Sequence, residues 1–293
     1  MSIVTREGYV AVTGGRVWYQ IVGAGEGIPL LTLHGGPGFP HDYLEPLGAL
    51  ADERPVIFYD QLGCGLSDRP DDPSLWQLER FVEELGQLRQ ALGLTQVHLL
   101  GHSGGTMLAL DYLLTQPAGV VSLIQANPVL SIPQVLEDIN RLYASLPGEV
   151  WATMKRLEAE GAMASEEYQQ GVEAYVQRYM SRVQPEPEAS RRAREKLGIQ
   201  VYQTMWGPYE LQVTGNLKNY NRTTRAAEVV VPTLFLCGRY DFCTPEATEQ
   251  YHRRVAGSEM AIFEQSSHSP LYEEPEHFLA VIRDFLHRVE TRQ

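Results

Sequence analysis

The pentapeptide Gly101-His102-Ser103-Gly104-Gly105 and its flanks constrain the fold of this chain more than any bulk property. Before it runs Val97-His98-Leu99-Leu100, an apolar stretch of strand character. After it comes Met107-Leu108-Ala109-Leu110-Asp111-Tyr112-Leu113-Leu114, which reads as a helix. A strand that turns at once into a helix brings two backbones close together, and glycine removes the side chains that would collide there. A serine at such a turn is held in strained geometry, with its hydroxyl projecting above the sheet. G-x-S-x-G in this setting therefore marks Ser103 as a candidate nucleophile.

The same strand and helix alternation extends along the chain. Val10 to Val12 and Val17 to Ile21 alternate and read as an antiparallel pair turned at Gly14-Gly15. Leu30 to Leu33, Val56 to Tyr59, Val97 to Leu100, Val121 to Ala126, Thr233 to Cys237 and Met260 to Phe263 read as buried strands. Helical spacing recurs over Leu75 to Leu92, Leu108 to Leu114, Thr248 to Val255 and Phe278 to Val289. The expectation is an α/β fold with a mostly parallel eight-stranded sheet flanked by helices. Between Pro128 and Ala227 strand signals fade, helical periodicity takes over, and Pro133, Pro147, Pro185 and Pro187 punctuate the run. That stretch reads as an all-helical cap inserted into the core. The expected division is core over 1–127, cap over 128–227 and core again over 228–293.

A chain of 293 residues buries a substantial core. Its formal net charge of −13 is spread along the sequence, which disfavours nucleic acid as a partner because phosphate binding needs clustered Lys and Arg. The opening residues have no apolar signal-peptide core, and no apolar run is long enough to cross a bilayer. Cys64, Cys237 and Cys243 suit reduced thiols, so a cytoplasmic location is expected. No Cys and His spacing suggests a metal site, and neither a metal nor another cofactor is expected.

A serine hydroxyl needs a base to take its proton and a third group to orient that base. In α/β hydrolases the chain order is Ser, acid, His. Asp241 follows the strand at Thr233 to Cys237, and His268 follows the strand at Met260 to Phe263. Both sit at carboxyl ends of strands, where such sheets gather their chemistry. Asp241 and His268 are thus the candidate acid and base. His252, His277 and His287 fall in expected helices and His98 in a strand, so they compete poorly.

His34-Gly35-Gly36-Pro37-Gly38 forms a glycine-rich turn after another strand. In this fold one N–H from that loop and the N–H after the serine make the oxyanion hole. Gly36 and Gly104 are the candidate donors. His34 is expected to brace the loop, and Asp60, which precedes the serine, to brace Tyr59-Asp60-Gln61-Leu62-Gly63-Cys64-Gly65-Leu66-Ser67.

These two loops, the turn at Ser103 and the Asp241/His268 pair together resemble the proline iminopeptidases over nearly the whole chain. The resemblance implies a serine aminopeptidase that releases an N-terminal residue, often proline, from short peptides or amides through an acyl-enzyme. It further implies acidic residues that hold the substrate ammonium. Glu210, in Trp206-Gly207-Pro208-Tyr209-Glu210, matches one such position, and Trp206 and Tyr209 either shape an apolar pocket or pack. The chain departs from the family at Phe242, where many relatives carry an acidic residue, and at Gly104, where Trp or Tyr is common. Phe242 is therefore counted with the substrate-facing candidates. These departures keep open an amidase or esterase on small substrates lacking a free amine, and, outside enzymes, a hydrolase-like binding protein.

Overall fold

The computed structural model describes residues 5–209 and 211–292. Its strands are β1 (Thr5–Val12), β2 (Gly15–Val22), β3 (Leu30–Leu33), β4 (Val56–Tyr59), β5 (Val97–His102), β6 (Val120–Ala126), β7 (Thr233–Gly238) and β8 (Glu259–Phe263). They form one eight-stranded sheet in the order β1-β2-β4-β3-β5-β6-β7-β8. β1 and β2 pair antiparallel, as do β2 and β4, and every pairing from β4 onward is parallel. The sheet expected from the sequence is present.

Every residue of β3, β4, β5, β6 and β7 is buried, which is why these strands read as continuous apolar runs rather than alternating ones. Alternation is hidden in the packing instead. Leu31, Leu33, Ile57 and Leu99 join one core, against α1 (Leu78–Ala91) and α2 (Gly104–Leu113). Leu30, Val56, Phe58 and Leu100 join the other, on the opposite face.

Between β6 and β7 the chain passes through α3 (Ile132–Tyr143), α4 (Gly148–Ala159), α5 (Glu166–Tyr179), α6 (Glu188–Glu195) and α7 (Ile199–Met205) without adding a strand to the sheet. Ser131 and Ser165 accept the amide hydrogens of Gln134 and Tyr168, capping α3 and α5. The sheet resumes with β7, then α8 (Pro245–His252), β8, the short α9 (Pro270–Glu273) and α10 (Pro275–Thr291). A 3-10 segment, His41–Asp52, covers the second core beside α10, and the sequence pattern does not announce it. Pro46 inside it interrupts the helical spacing that periodicity relies on. No helix among the described residues is long and apolar enough to cross a membrane.

Candidate active site

Ser103 lies between β5 and α2 with φ 52° and ψ −122°, a left-handed conformation that costs a non-glycine residue energy. Three bonds hold it there: its N–H donates to the Ala126 carbonyl at 2.9 Å, and its own carbonyl accepts the Thr106 N–H at 2.9 Å and the Thr106 hydroxyl. The neighbouring glycines are obligatory for steric reasons. A Cβ on Gly105 would sit 2.0 Å from the Leu33 carbonyl oxygen, and one on Gly101 would lie 2.5 Å from the Gly105 oxygen.

The loop after β3 folds over this turn. A Cβ on Gly35 would lie 2.9 Å from the Ser103 Cβ, so the loop and the serine are in close contact. Gly36 has φ +109°, and its amide nitrogen would be 3.3 Å from a Cβ placed on Gly104. Among the described residues neither the Gly36 nor the Gly104 N–H has a backbone acceptor. Two such donors beside the Ser103 turn suit an anionic oxygen.

Asp241 and His268 come together from the ends of β7 and β8. His268 Nδ1 donates to Asp241 Oδ1 at 2.7 Å, and both side chains are buried. Asp241 Oδ1 also accepts the Cys243 N–H at 2.8 Å, and Oδ2 accepts from Asn127 Nδ2 at 2.6 Å. A buried carboxylate with three donors stays a fixed acceptor and keeps the imidazole in one orientation. Cys243 lies within metal-ligand reach of Asp241 and His268. Burial pushes its thiol well up, however, and the carboxylate oxygens are already occupied, so this donor set does not suit a metal. The Phe242 ring covers His268, with centroids 4.3 Å apart.

A second chain of bonds ties the parts together. Gly35 N–H donates to the Tyr43 hydroxyl at 2.7 Å, which lies 3.1 Å from His102 Nδ1, and His102 Nε2 is 3.1 Å from the His268 carbonyl. Burial holds the His102 imidazole neutral, with its pKa lowered to about 3. A neutral ring donating from Nε2 to that carbonyl accepts the Tyr43 proton at Nδ1. Asn127, Tyr43 and His102 are the residues that sequence reasoning misses. The weak hint for Asn127 is an Asn-Pro at a strand end, where Asn tolerates its φ of 55°.

His34 and Asp60 brace loops. His34 Nε2 accepts the Gln61 N–H at 2.9 Å, and burial lowers the imidazole pKa to about 4. Asp60 is buried and accepts from the His41 ring and from the His41 and Leu66 amides. Burial opposes its charge, but the His41 bonds prevail and hold the carboxyl below its usual range.

The substrate-facing candidates are more scattered. Phe242 is the one brought against the Asp241/His268 pair. Trp206 is buried just past α7, and Tyr209 is half-buried in a bridge to Gln212. Glu210 lies outside the described residues.

A family model for the alpha/beta hydrolase fold matches residues 28–275. A proline iminopeptidase from Heyndrickxia coagulans is 48% identical over 97% of this chain and 99% of its own length. Among solved structures, a proline iminopeptidase from Mycobacterium smegmatis superposes with a TM-score of 0.93 at 33% identity, covering 98% of this chain and 99% of its own. The protein VinJ also superposes at 0.93, with 34% identity over 97% of this chain and 99% of its own.

Proposed function

Since this chain belongs to the proline iminopeptidase family of α/β hydrolases, we propose that it releases an N-terminal proline, or another small apolar residue, from short peptides or amides through an acyl-enzyme on Ser103. The observation that carries this reading is the buried 2.7 Å His268–Asp241 bond, joined to the strained Ser103 turn through His102, whose Nε2 is 3.1 Å from the His268 carbonyl.

Ser103 Oγ attacks the carbonyl carbon of the N-terminal residue while its proton passes to His268 Nε2. Asp241 holds the Nδ1–H and stabilises the imidazolium that forms. The carbonyl oxygen becomes an oxyanion facing the Gly36 and Gly104 N–H groups. The tetrahedral intermediate then collapses. The C–N bond breaks, the leaving amine takes the proton from His268, and an ester to Ser103 remains. Water gives a proton to His268, attacks the ester, and frees the amino acid as Ser103 regains its proton.

Residues 128–227 act in this reading as a cap over the site, with Glu210 as a carboxylate for the substrate ammonium and Trp206, Tyr209 and Phe242 as apolar walls. An ammonium entering a partly dry pocket needs a paired negative charge. The support for Glu210 is its place in the family pattern. Small peptide substrates follow from the family.

A chromogenic panel of Pro, Ala and Leu arylamides beside short acyl esters tests the proposal, with Ser103→Ala as the control. Turnover of the prolyl arylamide by the native chain and none by Ser103→Ala is the expected result. Ester turnover with no action on any free-amine arylamide would replace the aminopeptidase by an esterase, for which Phe242 and Gly104 leave room.

A further inference from the structure

The segment after α5 makes an unusual set of contacts. As residues 179–182 leave that helix they run against the two loops that carry Asp241 and His268. Phe242 N–H donates to the Tyr179 carbonyl at 3.3 Å. Ser269 Oγ donates to the Met180 carbonyl at 2.8 Å. Arg182 N–H donates to Glu273 Oε1 at 2.6 Å, and its guanidinium carbon stands 4.1 Å from the centre of the Tyr240 ring. The strap therefore touches the residues on both sides of Asp241 and the residue after His268.

Glu273 supplies the remaining side. Its Oε2 accepts the Ser267 N–H at 2.5 Å and its Oε1 accepts the Ser267 hydroxyl at 2.7 Å. Ser267 is fully buried and directly precedes His268. One carboxylate thus binds three donors, two from the histidine loop and one from the helical insertion. Only a carboxylate offers enough acceptor sites without a donor of its own, because a glutamine would turn its NH₂ toward an N–H or O–H. Such charge-assisted bonds are short and stiff.

We propose that Glu273 is a positioning residue. It sets the backbone at Ser267 and His268, and hence the imidazole, and it does so in register with the strap at 179–182. The proposal rests on the assignment of Ser103 and His268 made above. Displacement of the base by a fraction of an ångström slows proton transfer strongly while leaving the substrate pocket in place. A residue that merely fastened the insertion would act on substrate binding instead.

The test is Glu273→Gln in the full chain, assayed on prolyl arylamide and normalised to Ser103 reactive toward a fluorophosphonate. The expected result is a kcat per reactive serine at least tenfold lower with KM within about twofold of native. Ser267→Ala, which removes a single hydroxyl bond, is expected to give the same pattern at about threefold. It carries the test if Glu273→Gln does not fold. A raised KM with native kcat, or native values for both, in whichever variants fold, overturns the proposal. Labelling of the native chain with none of Ser103→Ala separates this failure from the other one: a native chain that does not label overturns the serine assignment itself, and the proposal with it.

Discussion

At the scale of single residues, burial keeps two imidazoles uncharged. His34 and His102 are both kept neutral by desolvation, their pKa values lowered to about 4 and about 3 from 6.5. In acid the unfolded chain takes a proton on each near pH 6.5, whereas the folded chain does not until pH falls to about 4 and about 3. Stability from these two groups is full above pH 6.5 and is lost on acidification, at about 1.4 kcal/mol per pH unit for each. Urea midpoints between pH 8 and pH 4 should show this fall, and His102→Gln should make it shallower. An equal slope in the variant would remove His102 from the account. Glu210 belongs to the same scale. Replacing it by Gln should raise KM for free-amine substrates about tenfold, equivalent to about 1.4 kcal/mol, and leave amine-blocked esters unaffected. An unchanged KM would take Glu210 out of the proposed site.

At the scale of elements, two helical glycines that look alike in sequence should respond in opposite ways to alanine. Gly86 in the middle of α1 is open, since its nearest neighbour to an added Cβ is a Tyr112 ring carbon at 3.8 Å. Alanine there should stabilise by roughly 0.5–1 kcal/mol through helix propensity alone. Gly105 in the first turn of α2 faces the Leu33 carbonyl, and a Cβ has no room. Gly105→Ala should lose several degrees of Tm or fail to fold, where Gly86→Ala gains. Thermal unfolding of the two variants decides it. The contrast also marks where sequence reasoning stops. Buried strands such as Leu30–Leu33 and Val56–Tyr59 are legible because unbroken apolar runs between turn residues have few other uses. The pentapeptide at Ser103 is legible because its chemistry and its sterics demand the same glycines. Tyr43 is not, because it sits in a 3-10 segment with no clean period and meets His102 from 59 positions away. Nor is Asn127, whose role depends on a partner 114 positions on. Long-range polar pairs leave no local pattern, so the supports around the proposed site stay hidden while its candidate reacting groups do not.

At the scale of the whole molecule, one sheet separates two cores, and the last helix closes the second of them. Phe278, Ile282, Phe285, Leu286 and Val289 of α10 pack there, while Glu290 binds Arg54 and also the ring of His98 in β5, at 3.1 Å. Burial opposes the Glu290 charge, but these partners prevail and hold its carboxyl below the usual range. α10 is therefore fastened to β5 and to the residues just before β4.

The proposed reacting groups follow the same plan, because Ser103 precedes α3 to α7 and Asp241 and His268 follow them. The His102–His268 bond alone spans 166 positions. Closing so long a loop comes late in folding, after local helices have formed. Hydrolysis should therefore act as a clock for completion. In refolding from urea, far-UV ellipticity should recover before arylamide turnover, and a chain still lacking β8 on the ribosome should carry an assembled nucleophile turn with nothing to drive it. Simultaneous recovery of both signals would mean that the distant strands dock as early as the helices form.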